Sequence, residues 1–175
     1  MRTQRPSIGR RLVVGFGIMA VLVLGLATNA SAEPSPLPGA CGDDFPLAFE
    51  VLQNNLQETT FIRGDETIVR TTGALTIRLV NLDSGEAIVR NVSGPVELTY
   101  HADGSVTQVA NGPSFTVFED DVERGGLPVG AVITYGRIVS RFEEGTPGDP
   151  SSLSGFSVVS FSGRYESVCS TLDED

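Results

Sequence analysis

Apolar and polar residues alternate along most of the chain beyond its first forty positions. Leu47, Phe49 and Val51 interleave with Ala48 and Glu50; Leu75, Ile77 and Leu79 with Thr76 and Arg78; Val96, Leu98 and Tyr100 with Glu97, Thr99 and His101. Phe115 and Val117 flank Thr116. Successive side chains leave a β-strand on opposite faces, so a period of two predicts half-buried strands. Residues 131–142 (AVITYGRIVSRF) make the longest such run, and Gly136 within it predicts a bend or bulge. Residues 156–161 (FSVVSF) and 165–169 (YESVC) are expected to complete the sheet. After residue 32 no stretch holds a helical period over three turns, whereas the β-branched and aromatic residues that suit pleated surfaces are frequent.

Turn-forming residues divide these runs. Residues 81–85 (NLDSG) separate two alternating segments, as do Ala102-Asp103-Gly104-Ser105, and Asp-Gly is a strong hairpin signal. Residues 91–95 and 111–113 are expected to break the chain again. Turns spaced about ten residues apart predict an all-β fold: an antiparallel meander forming either a β-sandwich or a flattened up-and-down barrel. No internal repeat is visible, and one domain with a single core accommodates the length.

The first 32 residues follow a different pattern. Residues 1–11 carry four arginines and no acid, 12–27 are an apolar run, and Ala30 and Ala32 form an A-x-A site. This is the layout of a secretory signal peptide over 1–32, with cleavage after Ala32. The apolar run contains Gly15, Gly17 and Gly25 and is shorter than the roughly 20 residues of a spanning helix. Arg10-Arg11 raises the twin-arginine route, but Gly9 stands where Ser or Thr is usual, and the general secretory route fits better. Cys41 lies too far beyond the apolar run for a lipobox, and Leu127-Pro128-Val129-Gly130 is internal rather than a terminal sorting signal. Residues 33–40 read as a proline-rich leader, and 41–175 as the folded domain.

An exported chain with two cysteines is expected to oxidise them. Cys41 opens the domain and Cys169 nearly closes it. A bridge between them would tie the first and last strands, contributing roughly 4–5 kcal/mol by loop entropy. Two thiols without a histidine cluster make a poor metal site.

Charge narrows the partners. The signal peptide holds four of the twelve arginines and none of the 22 acids, so the remainder has eight arginines against 22 acids, a net charge of −14. The chain has no lysine. Such a surface repels phosphate backbones and anionic lipid, which argues against nucleic acid and membranes as partners.

Candidate chemistry is sparse. His101 is the only histidine, so a Ser/His/Asp arrangement would have to use it, and no G-x-S-x-G elbow is present. Its place before Asp103-Gly104 predicts a solvent-facing side chain at a strand end. A carboxylate pair could support glycoside hydrolysis, but the chain has no tryptophan and three tyrosines, few rings for stacking a sugar. Glu119, Asp120, Asp121 and Glu123 form the densest acidic stretch, in a loop that could engage a partner or a cation, although its spacing is not that of an EF-hand. Arg63-Gly64-Asp65 spells an adhesion tripeptide; between two strand-like flanks it predicts a plain tight turn. Asn91-Val92-Ser93 fits the glycosylation sequon, which matters only in a eukaryotic secretory pathway.

Several segments together carry a resemblance. These are Cys-Gly-Asp-Asp-Phe-Pro-Leu at 41–47, Thr71-Thr72-Gly73, 81–85, 91–95, Asp103-Gly104-Ser105, and Ser162-Gly163-Arg164 before the final cysteine. On them the chain resembles a group of small secreted all-β proteins of high-GC Gram-positive bacteria with no assigned activity. The resemblance implies export and fold, and brings no catalytic residue or cofactor. The expectation is therefore a secreted, non-enzymatic all-β domain with an extracellular binding or structural role. The alternative is a carrier of a small apolar ligand in a barrel cavity, and a carboxylate-based hydrolase is the third reading.

Overall fold

The computed structural model describes residues 34–173; the expected signal peptide at 1–32 lies outside the described residues. The fold is all-β and antiparallel. The first half of the chain supplies β1 (Ser35–Leu37), β2 (Leu47–Asn54), β3 (Gln57–Arg63), β4 (Glu66–Thr72), β5 (Leu75–Asn81), β6 (Ala87–Asn91) and β7 (Val96–Tyr100). Two long strands follow, β8 (Val106–Phe118) and β9 (Gly130–Phe142), then β10 (Glu144–Thr146), β11 (Asp149–Ser154), β12 (Ser157–Ser167) and a helical turn, α1 (Val168–Leu172). A four-stranded sheet has the order β1-β2-β5-β6, and a six-stranded sheet the order β12-β9-β8-β7-β4-β3. β10 and β11 form a separate hairpin, closed by Pro147-Gly148, that sequence periodicity does not predict. The proline-rich segment contributes to the sheet, because Ser35, Pro36 and Leu37 pair with β2.

The two sheets are linked by strands that turn a corner. β2 continues into β3, β4 into β5, and β6 into β7, each crossing from one sheet to the other. The sheets do not join into a closed barrel, and β3 and β12 remain the margins of the larger one. The smaller sheet lies over the parts of β8 and β9 beyond the corner: Leu47, Ile77 and Leu79 pack with Ala131, Ile133, Phe115 and Val117.

Residues 111–113, expected to break the chain, bend it instead. β8 runs through them unbroken, with Gly112 opposite Gly136 of β9, and Gly136 opposite Gly163 of β12. Three neighbouring strands thus bend along one glycine row, and their ladders survive. A Cβ on Gly136 would overlap the carbonyl oxygen of Ser162, and one on Gly163 that of Tyr135, so β9 and β12 approach this closely only without side chains there.

The chain ends are tied as expected. Cys41 and Cys169 form a disulfide with a Cα–Cα distance of 5.4 Å. Residues 165–169, expected as strand, are strand only to Ser167. Ser167 caps α1, its side chain accepting a hydrogen bond from the N–H of Ser170. The helical turn sends Val168 and Leu172 into the core and brings Cys169 back to Cys41. Among the described residues no helix is long and apolar enough to cross a membrane.

Candidate functional site

Where the strands turn the corner, the two sheets part and leave a cleft of about 130 Å³. Its floor is built from cross-strand rows of the larger sheet. Thr71, Val96, Ala110 and Ile138 stand in register across β4, β7, β8 and β9. The next row on the same face holds Leu98, Gln108 and Ser140. Phe49, Leu75 and Ile77 of the smaller sheet face them, with Phe115 and Phe156 closing the sides. The wall is mostly aliphatic and aromatic. Glu58, exposed on the marginal strand β3, is the only acidic residue on it among the described residues.

Gln108 departs from the apolar floor. It is 7% exposed, and its Oε1 is buried without a hydrogen-bond partner among the described residues. An unsatisfied buried acceptor costs about 1–3 kcal/mol, so most core positions exclude one. Ser140, 1% exposed, stands beside it in register. Sequence reasoning missed both residues, although a signal was present. Val106-Gln108-Ala110 and Ile138-Ser140-Phe142 each place one polar residue at an inward position of an otherwise apolar alternation.

The residues singled out in the sequence lie elsewhere. His101 is not simply solvent-facing: it is half-buried, its Nδ1 2.9 Å from Glu66 Oε1 and its Nε2 2.8 Å from Thr107 Oγ1. An acid, an imidazole and a hydroxyl in series have the connectivity of a nucleophilic triad. Here they lie on the outward face of the larger sheet, with Thr107 near the start of β8, between Thr99 of β7 and Arg141 of β9. The cleft is on the opposite face and the imidazole does not border it. The arrangement ties the start of β4 to the β7–β8 hairpin.

The acidic loop is organised by its arginine. Arg124 donates from Nη1 to the backbone carbonyls of Glu119 and Asp120, each at 2.9 Å, while Leu127 is buried in the core beneath. The side chains of Glu119, Asp120, Asp121 and Glu123 are turned to solvent. Among the described residues no three His, Cys, Asp or Glu side chains converge on a possible metal position. Gly64 and Asp65 are the two linking residues of the β3–β4 hairpin, in which Arg63 pairs with Glu66. Gly64 has φ 64°, the positive value that a glycine supplies in a two-residue turn. In the sequon, Ser93 is a structural corner piece: its Oγ accepts from the N–H of Leu75 and donates to the carbonyl of the same residue. It thereby completes the edge of β5 where β6 leaves it.

One ionic cluster closes the open side of the sandwich. Glu166 of β12 accepts from Arg90 Nε of β6 at 3.0 Å and from the Tyr135 hydroxyl at 3.1 Å, and the Arg164 guanidinium lies 4.1 Å from the Tyr135 ring centre. The hydrogen bond from Arg90 holds the Glu166 carboxyl below its ordinary pKa, against the opposing effect of burial. Burial, and then the hydrogen bond to Glu166, raise that of Tyr135. These groups join two sheets and do not face the cleft. No family model matches the chain, and no curated protein or solved structure matches it significantly.

Proposed function

We propose that the chain is an exported, non-enzymatic binding module that takes a small, mostly apolar ligand into the cleft between its two sheets. The observation that carries this reading is the cleft itself, an apolar recess bordered by the buried polar side chain of Gln108. Binding sites are commonly mostly apolar, with a few polar groups that fix orientation. No closed barrel is needed for such a site, since the corner between the sheets supplies the recess. The leader-like pattern of residues 1–32, the disulfide and the acidic composition support export and an extracellular place of action. A two-carboxylate hydrolytic mechanism is not supported, because among the described residues Glu58 has no acidic counterpart on the cleft wall.

The test is native mass spectrometry of the protein secreted by its own host, followed by a denaturing measurement. A retained small mass that is lost on denaturation is expected. It should be absent from Ala110→Leu, which fills the cleft floor. A bare native mass would redirect the search to proteins or polymers, with a structural role for the domain. The denaturing mass also reads the mature start and the oxidation state of the cysteines.

A further inference from the structure

The marginal strand β3 has an open edge. We infer that two copies of the chain pair there, β3 against β3 in antiparallel register about Thr60, so that their larger sheets join into one. In the β3–β4 hairpin Arg63 pairs with Glu66 across a two-residue turn, and such a closing pair exchanges backbone hydrogen bonds. Alternation then turns the N–H and C=O groups of Gln57, Thr59 and Phe61 toward β4, and those of Glu58, Thr60 and Ile62 toward the free edge. Among the described residues no strand lies beyond β3. Residues 57–60 are exposed, and Ile62 is 76% exposed.

The other margins carry features that keep sheet edges from pairing. β1 is three residues long and contains Pro36. In β6, Arg90 Nη1 donates to the carbonyl of Val89. β12 is bulged between Val158 and Ser160, and the carbonyl of Glu123 takes the N–H of Val158. β3 has seven residues, no proline and an unshifted ladder with β4. Its charges suit a second copy, because Glu58 stands near one end and Arg63 at the other. Two-fold pairing about Thr60 sets Gln57, Glu58 and Thr59 against Arg63, Ile62 and Phe61 of the second copy. The two Glu58 side chains stay at opposite ends of the interface, each near the second copy's Arg63. Thr59 against Phe61 is a β-branched and aromatic pair of the kind that stabilises antiparallel sheets. Glu58 borders the cleft, and directly opposed residues share a face, so Ile62 of the second copy extends the rim of the cleft. The pairing does not depend on the cleft holding a ligand.

Sedimentation equilibrium of the secreted, disulfide-bonded protein tests this, together with amide hydrogen exchange read by NMR. An edge of this length belongs with the small, transient interfaces, so a dissociation constant on the order of 10 µM is expected. The average mass should rise with concentration toward that of two chains. Exchange at the amides of Glu58, Thr60 and Ile62 should slow in step, while those of Thr59 and Phe61, already bonded to β4, change little. Two substitutions at exposed positions read the register. Thr60→Lys sets two cations face to face on the two-fold axis and should weaken pairing about fivefold. Ile62→Lys sets each cation against Glu58 of the second copy and should pair at least as tightly as the parent. Both add the same charge to an acidic chain, so a general electrostatic effect would move them alike. A chain that stays monomeric, a dimer whose β3 amides exchange as in the monomer, or an equal response to the two lysines would overturn the inference. So would protection of these amides only on adding other secreted host proteins to a chain that stays monomeric, which would assign the edge to a foreign strand. The exchange measurement needs no variant, so it decides the matter even where a substitution disturbs the fold.

Discussion

Gln108 and Glu166 are both polar and inward or half-inward in their strands, yet they stand in opposite energetic situations. Gln108 Oε1 has no partner among the described residues, so Gln108→Leu should raise stability by about 1–3 kcal/mol, readable as a higher denaturant midpoint at unchanged slope. A gain of stability on removing a polar residue is the pattern expected where a residue is kept for binding rather than for folding. Glu166 is well supplied with donors from Arg90 and Tyr135. Because its folded-state pKa is depressed, the unfolded chain takes up the proton first on acidification. Its contribution is therefore complete above the ordinary glutamate range, about 4.3, and is lost as the pH falls through the lower folded value. Glu166→Gln should cost about 1 kcal/mol at pH 7 and flatten the acid limb of the stability profile. An unaltered acid limb would show that the cluster does not couple to folding.

At the scale of elements, the strands were legible and their bends only partly so. Alternation marks β2, β5, β7 and β9 because each has one face on the core and one toward solvent or the other sheet. The turns at Gly64-Asp65, 81–85 and Asp103-Gly104 fall where their residue chemistry places them. In the second, Asn81 Oδ1 accepts from the N–H groups of Asp83 and Ser84; in the third, Asp103 Oδ1 accepts from Ser105. Asn111-Gly112-Pro113 has equal turn character, but its outcome depends on β9 alongside. Gly136 faces Gly112, and the strands bend together rather than part. Gly136→Ala should therefore cost about 2–3 kcal/mol, through overlap with the carbonyl oxygen of Ser162. Chemical denaturation reads this directly, and Gly104→Ala, with open space around the added methyl, separates steric overlap from the cost of a positive φ.

For the whole molecule, the disulfide and the corner set the architecture. The bridge spans 128 residues and fastens α1 to the turn after β1. By loop entropy, replacing both cysteines with serine should remove about 5 kcal/mol, measured as a lowered midpoint that reducing agent reproduces in the native protein and leaves unchanged in the variant. The two sheets are also joined at their margins, where Arg90 meets Glu166. With the ends clasped and one side bridged, the interior of the corner stays partly open, and that opening is the cleft.

The sequence by itself determined the strand class, most of the hairpins and the pairing of the only two cysteines. These rest on local periodicity, on turn chemistry or on simple number. It also displayed Gln108 and Ser140 as polar residues in apolar alternations, without indicating whether a partner would reach them. Tertiary structure alone decided that no donor among the described residues meets Gln108 Oε1, that His101 lies on the face away from the cleft, and that the carboxylates at 119–123 do not converge on a metal position. Each depends on which distant strand lies alongside or opposite. That relation is set by the bending of whole sheets, and no single segment encodes it.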